Sequence, residues 1–125
     1  MLANKDAIAT IPVKNLAKAR QFYEGTLGLK PVDSEGDEVI VFKSGHSTLN
    51  VYRSEYAGTN QATAATWKVG DEIEGIVREL KSKGVAFEHY DMPGLKQKGD
   101  IHVAGDMKAA WFKDPDGNIV NIVNR

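Results

Sequence analysis

The chain has 125 residues, 42% of them hydrophobic, enough to bury the core of one compact unit and too few for two large independent domains. Lys and Arg number 16 against 17 Asp and Glu, so no charge excess draws the chain to nucleic acid or to an anionic membrane. There is no cysteine for a disulfide, a thiolate nucleophile or a Cys-based zinc site, no secretory leader pattern, and no run approaching the roughly 20 apolar residues of a membrane span, so the expectation is a soluble, cytoplasmic protein.

In chain order, the apolar and small residues of "AIATIPV" (Ala7 to Val13) predict a strand. Asn15 then offers an N-cap, and Leu16, Ala19, Tyr23 and Leu27 recur at helical spacing with Phe22 beside them, up to a stop at Gly28. "KPV" leads through the turn-rich "DSEGD" to the strand "EVIVFK", and "SGHS" turns the chain into "TLNVYRS". The loop-like "EYAGTNQATAATW" follows, and the plan then repeats.

In the second half, "ATWKV" predicts a strand, and Asp71 with Glu74 three residues on resembles a capping box. Ile73, Ile76, Val77 and Leu80 form an apolar stripe that ends at Gly84. "VAFEHY", "KAAWFK" and "NIVNIVN" predict three more strands. Overlaying the halves matches Thr10 with Thr66, Val13 with Val69 and Gly28 with Gly84, and the pair Phe42 and Lys43 with Phe112 and Lys113, which argues for an internal duplication. The halves differ at residues 91–107, "DMPGLKQKGDIHVAGDM", where no sustained periodicity is visible. That insertion reads equally as a functional lid, a tolerated surface insertion or an extension packed on a partner subunit.

These features together resemble the vicinal oxygen chelate superfamily, which includes glyoxalase I, extradiol dioxygenases, fosfomycin resistance proteins and bleomycin resistance proteins. The motifs that carry the resemblance are "VKNLAKARQFYEGTLGL" and "WFKDPDGNIVNI", in that order and at that separation. It implies an α+β fold of two tandem βαβββ modules, residues 7–54 and 64–125 joined by a connection at 55–63, whose strands curve into a half-open barrel around a cleft. A homodimer is implied as well. "DPDGN" also has a local explanation: Pro115 fixes φ, the aspartates accept backbone N–H bonds, and Gly117 supplies a positive φ before the last strand.

Metal-using relatives place cleft-facing His, Glu or Gln ligands on two strands of each module. Counting from the matched motifs carries those four positions onto Ile8, Asn50, Ala64 and Asn121, two hydrocarbon side chains and two neutral amides. Divalent transition metals need N, O or S donors at about 2.0 to 2.3 Å, so neither a metal nor any other cofactor is expected. His46, His89 and His102 show neither i, i+4 nor same-strand i, i+2 spacing that would rescue a site.

With those positions facing the cleft, period-two alternation adds Thr10, Thr48, Tyr52, Thr66, Ile119 and Val123, and points Trp111 the same way. Ile11, Val13, Phe42, Trp67, Val69, Phe112, Val120 and Ile122 then face the helices. The expected ligand-binding residues are Thr10, Asn50, Tyr52, Asn60, Thr63, Thr66, Trp111 and Asn121, with Asn60 and Thr63 on a connection that also reads as a plain linker. This composition suits a small, largely apolar organic molecule, held for sequestration, resistance or carriage. A metal-independent isomerase or lyase is the alternative, with Glu88, His89, Tyr52 and His102 able to move protons; a metalloenzyme with unrelated ligands is the third.

Overall fold

The computed structural model describes residues 1–125, the side chain of Glu35 excepted. The chain divides into two compact units, Met1–Gly58 and Thr59–Arg125.

The first unit runs β1 (Ala9–Val13), α1 (Leu16–Arg20), a π-helical turn (Gln21–Thr26), β2 (Lys30–Glu35), β3 (Val39–Ser44) and β4 (Ser47–Arg53). Its strands order as β1-β4-β3-β2, with β1 parallel to β4 and the other pairs antiparallel. The helix starts as expected: the Asn15 side chain accepts the Lys18 N–H at 3.1 Å, satisfying one of the donors a helix start leaves free. It does not continue as α-helix to Leu27. Leu27 N–H reaches back five residues to the Phe22 carbonyl at 2.9 Å, and Gly25 inside the stretch carries no side chain to resist the wider turn. Tyr23 is fully buried there, its ring 5.9 Å from that of Phe42, and Ile11, Val13, Ile40, Leu49 and Val51 complete this core. Thr10, Asn50 and Val41 are register partners on the opposite face, which stays open. β2 extends through "DSE", so the turn falls at Gly36, with φ +56°, later than composition implies.

The second unit runs β5 (Thr63–Lys68), a 3-10 turn (Gly70–Glu72), α2 (Ile73–Ser82), β6 (Phe87–Glu88), β7 (Lys96–Lys98), β8 (Ile101–Ala104), β9 (Met107–Lys113) and β10 (Ile119–Val123). Strand order is β5-β10-β9-β8-β7, and β6 also pairs with β9. Ala110, Phe112, Val120 and Ile122 form the buried face, with Ile73, Val77 and Leu80 of α2. Lys108, on the same face of β9, reaches Glu74 of α2 at 2.6 Å and so places the helix over that side. The expected capping box is replaced by this contact. Helical backbone begins one turn early, no side chain caps α2, and Lys108 draws the Glu74 carboxyl below its ordinary value, its hydrogen bond being the main cause.

Residues 91–107, read from sequence as an insertion without regular structure, contain the antiparallel β7–β8 pair. The strand expected over "VAFEHY" is correspondingly short, limited to Phe87 and Glu88. β6 pairs with Phe112 and Trp111, while β8 pairs with Ala109, Lys108 and Met107. Two short strands thus divide the edge of β9 that β2 covers alone on β3 in the first unit.

Candidate functional site

The face of the second sheet opposite α2 carries a concentration of polar and aromatic side chains. Trp111 and Asn121 are direct partners across the β9–β10 ladder, and Asn121 is also the partner of Thr66 on β5. Directly opposed residues project to one side of a sheet, so these three share a face. At the β5 end, the register passes from Thr66–Asn121 and Ala65–Val120 to Thr63–Ile119, skipping Ala64. That extra residue re-aims Thr63, whose hydroxyl accepts the Trp111 indole N–H at 3.1 Å.

Trp111, Thr63, Ile119, Tyr90, Met92 and Ala62 line a pocket of about 450 Å³ with Gln61 and Asp91 beside them. A hollow of about 520 Å³ in the first unit lies among Lys14, Glu38, Arg53, Ser54 and Glu55. Its exposed Arg53 and Glu38 are already paired at 3.0 Å, so it reads as a surface groove between solvated charges. The Trp111 pocket, apolar and aromatic with a few polar groups, is the better small-molecule site.

Behind Tyr90 and Trp111 lies His102, which is fully buried. Its ring stands perpendicular to the indole at 4.9 Å and stacks beside the Tyr90 ring at 6.3 Å. The Tyr90 N–H donates to His102 Nε2 at 2.9 Å, at the place where the chain leaves β6 and β8 takes over the edge of β9. A buried imidazole therefore substitutes for a ladder carbonyl. Three atoms in this corner, Tyr90 Oη, His102 Nδ1 and Asn121 Oδ1, are buried without a hydrogen-bond partner among the described residues. Each such atom costs about 1–3 kcal/mol, so three together are an expensive feature of a small domain. Burial is the main cause that pushes the Tyr90 phenol above its ordinary 10.0, with the Glu88 charge adding to it and Lys113 opposing.

The remaining candidates are placed as follows. Glu88 is tied to Lys113 at 3.3 Å. His89 Nε2 sits 2.8 Å from Asp100, whose other oxygen takes Lys81 at 2.7 Å, so the carboxylate joins α2 to the start of β8. Hydrogen bonding from Lys81 first, and from His89 second, holds the Asp100 carboxyl below its usual range. Asn60 is exposed and uses its side chain to accept the Ala62 N–H at 3.0 Å, a local turn. Thr10, Asn50 and Tyr52 lie on the open face of the first sheet. Gln61, Ala62, Tyr90, Asp91 and Met92 are the pocket residues that sequence reasoning did not single out; for Tyr90 an aromatic next to "DMPG" at a strand end was the available signal.

Positions 8, 50, 64 and 121 do not fit a metal. Ile8 offers hydrocarbon and is 49% exposed, Ala64 offers a methyl group, and Asn50 and Asn121 offer neutral amides. Among the described residues no three His, Asp or Glu side chains are grouped so as to hold a metal ion. In "DPDGN", Asp114 is buried and its Oδ1 accepts the N–H groups of Asp116 at 3.0 Å and Asn118 at 2.9 Å, while Oδ2 takes the Asn118 amide at 2.8 Å. Asp114 is consumed by its own turn. Among the described residues no helix is long and apolar enough to cross a membrane.

The fold has many solved counterparts. An integron cassette protein, HFX_CASS4, from the mobile metagenome of the Halifax Harbour sewage outfall is 21% identical, with a TM-score of 0.73 over 97% of this chain and 99% of that one. A lactoylglutathione lyase from Agrobacterium tumefaciens is 16% identical, with a TM-score of 0.72 over 95% and 92%. A mutant of the fosfomycin resistance protein FosX from Listeria monocytogenes, in complex with Mn(II) and 1S,2S-dihydroxypropylphosphonic acid, is 16% identical, with a TM-score of 0.72 over 99% and 91%. At these identities the likeness is one of fold. No curated protein matches the chain by sequence. The family model of this fold, however, matches residues 6–122, nearly the whole sequence. With its α+β architecture, the chain belongs to the Glyoxalase/Bleomycin resistance protein/Dioxygenase superfamily.

Proposed function

We propose that the chain is a binding member of this superfamily, taking a small, largely apolar organic molecule into the Trp111 pocket in a sequestration, resistance or carrier role. The observation that carries this reading is the lining itself: Trp111, Ile119, Met92 and Ala62 supply apolar surface, and the Thr63 hydroxyl and the Tyr90 and Gln61 side chains supply a few fixed polar groups. Support also comes from Ile8, Asn50, Ala64 and Asn121, because a binding site needs shape and no Lewis acid. The lyase is an enzyme by name, and the FosX complex holds Mn(II); metal chemistry here would require donors that these four side chains do not provide. A cytoplasmic homodimer completes the proposal.

A metal-independent isomerase or lyase is the second reading. It is favoured by the His89–Asp100 pair, in which a carboxylate orients a half-exposed imidazole in the manner of a general base.

A thermal-shift panel of metabolites and antibiotics, run on the wild type and on Trp111→Ala, tests the binding reading. Compounds that raise the melting temperature of the wild type alone support it. Hits that stabilise both proteins equally would place the site elsewhere, and turnover of a hit that is lost in His89→Gln would favour the enzyme.

A further inference from the structure

Resting on the reading of the Trp111 pocket as a ligand site, we propose that its ligand carries a positive charge: an organic ammonium on an apolar body, seated in the corner of the Trp111 and Tyr90 rings with the Asp91 carboxylate as counter-ion. All three residues line this one pocket. The Tyr90 ring crosses the indole at 82° with centroids 5.6 Å apart. Two perpendicular rings bound a corner, and a cation lodged there lies within the roughly 6 Å over which an aromatic face attracts it. The indole N–H is already donated to Thr63 Oγ1 at 3.1 Å, so Trp111 meets a ligand through its π system and not as a donor.

The charges point the same way. Among the described residues that line the pocket, Asp91 is the one with a charged side chain; it is exposed and makes no hydrogen bond or ion pair there. Lys113, the ladder partner of Ile119, shares this face, but its ammonium is 3.3 Å from Glu88 Oε1, so that pair offsets itself and the charge left facing the pocket is that of Asp91. A space of about 450 Å³ is about 10 Å across, comparable with the Debye length of about 10 Å at roughly 0.1 M salt, so the carboxylate acts on a cation anywhere inside it. An exposed ion pair by itself is worth little. Here the aromatic corner adds a second attraction for the same charge, and Ile119 and Met92 supply the apolar wall that takes the body of the ligand.

The test is a titration of the full chain carrying Trp67→Phe, read by Trp111 fluorescence, with choline and its neutral isostere 3,3-dimethylbutan-1-ol as probes. The expected result at low salt is binding of choline about tenfold tighter than the alcohol, with Asp91→Asn weakening choline about fivefold and leaving the alcohol unchanged. Nuclear Overhauser contacts, which need no variant, should run from the choline methyl protons to ring protons of both Trp111 and Tyr90. Equal affinity for the two probes, a choline preference that survives Asp91→Asn intact, or choline contacts that miss both rings overturns the cation seat and leaves the pocket standing. If neither probe perturbs Trp111, the pocket reading fails and takes this proposal with it.

Discussion

Trp111 and Thr63, 48 residues apart in the chain, are joined by a 3.1 Å hydrogen bond from the indole N–H to the threonine hydroxyl. The bond spans from β9 to the start of β5 with β10 between them, so it fixes the indole against the far edge of the ladder. Thr63→Val keeps the side-chain shape and removes the acceptor. Stability should fall by about 1 kcal/mol in urea titrations, and the fluorescence anisotropy of Trp111, read in a Trp67→Phe background, should drop. Unchanged anisotropy would mean that packing alone holds the ring.

The two aspartates of the final turn should behave differently. Asp114 satisfies two backbone N–H groups and the Asn118 amide from a buried position, so Asp114→Ala should cost about 3 kcal/mol. Asp116 has a buried oxygen without a partner among the described residues, and Asp116→Ala should change stability by less than about 0.5 kcal/mol or raise it. Urea midpoints that move equally would refute the assignment of the turn to Asp114.

Asp100 predicts how the second unit responds to acid. Its folded carboxyl is held below the ordinary 3.8 by Lys81 and then His89, so its stabilising effect is complete above about pH 4 and is lost as pH falls through the depressed value. Asp100→Asn should cost about 1 kcal/mol at neutral pH and flatten the melting-temperature curve below about pH 4. Hydrogen exchange should quicken first at His102 and Val103, where β8 is pinned by this contact.

Chelation gives the metal prediction. Compounds that stabilise the protein should do so to the same extent after dialysis against EDTA, and elemental analysis should find well under one Zn, Ni, Fe or Mn per chain. One tightly held metal per chain would show that side chains outside positions 8, 50, 64 and 121 assemble a site.

Strand faces were readable because period two is rigid: Ile11 and Val13, Phe42 and Phe112, and Val120 and Ile122 fall on buried faces as alternation requires. Features that depend on partners distant in sequence were hidden. Nothing in "GDEIE" says that Glu74 will meet Lys108 and leave the helix start uncapped. The skipped Ala64, which turns Thr63 toward Trp111, is set by the register with Ile119 and has no local signature. His102 looked like a polar residue in an irregular segment, and only the pairing of β8 with β9 carries it inside. Local preference is legible one segment at a time, whereas burial of a polar group is decided by what the rest of the fold places over it.

The shared edge of β9 bears on how the chain tolerates being cut. β5 and β6 belong to the stretch before Gly94, while their partners β10 and β9 belong to the stretch after it, so the two pieces hold each other by alternating strands. Gly94 itself sits in an exposed turn at φ +82°. A break in the backbone there leaves every ladder of the second sheet intact, which makes this turn a natural seam for dividing the protein into two fragments that reassemble when mixed.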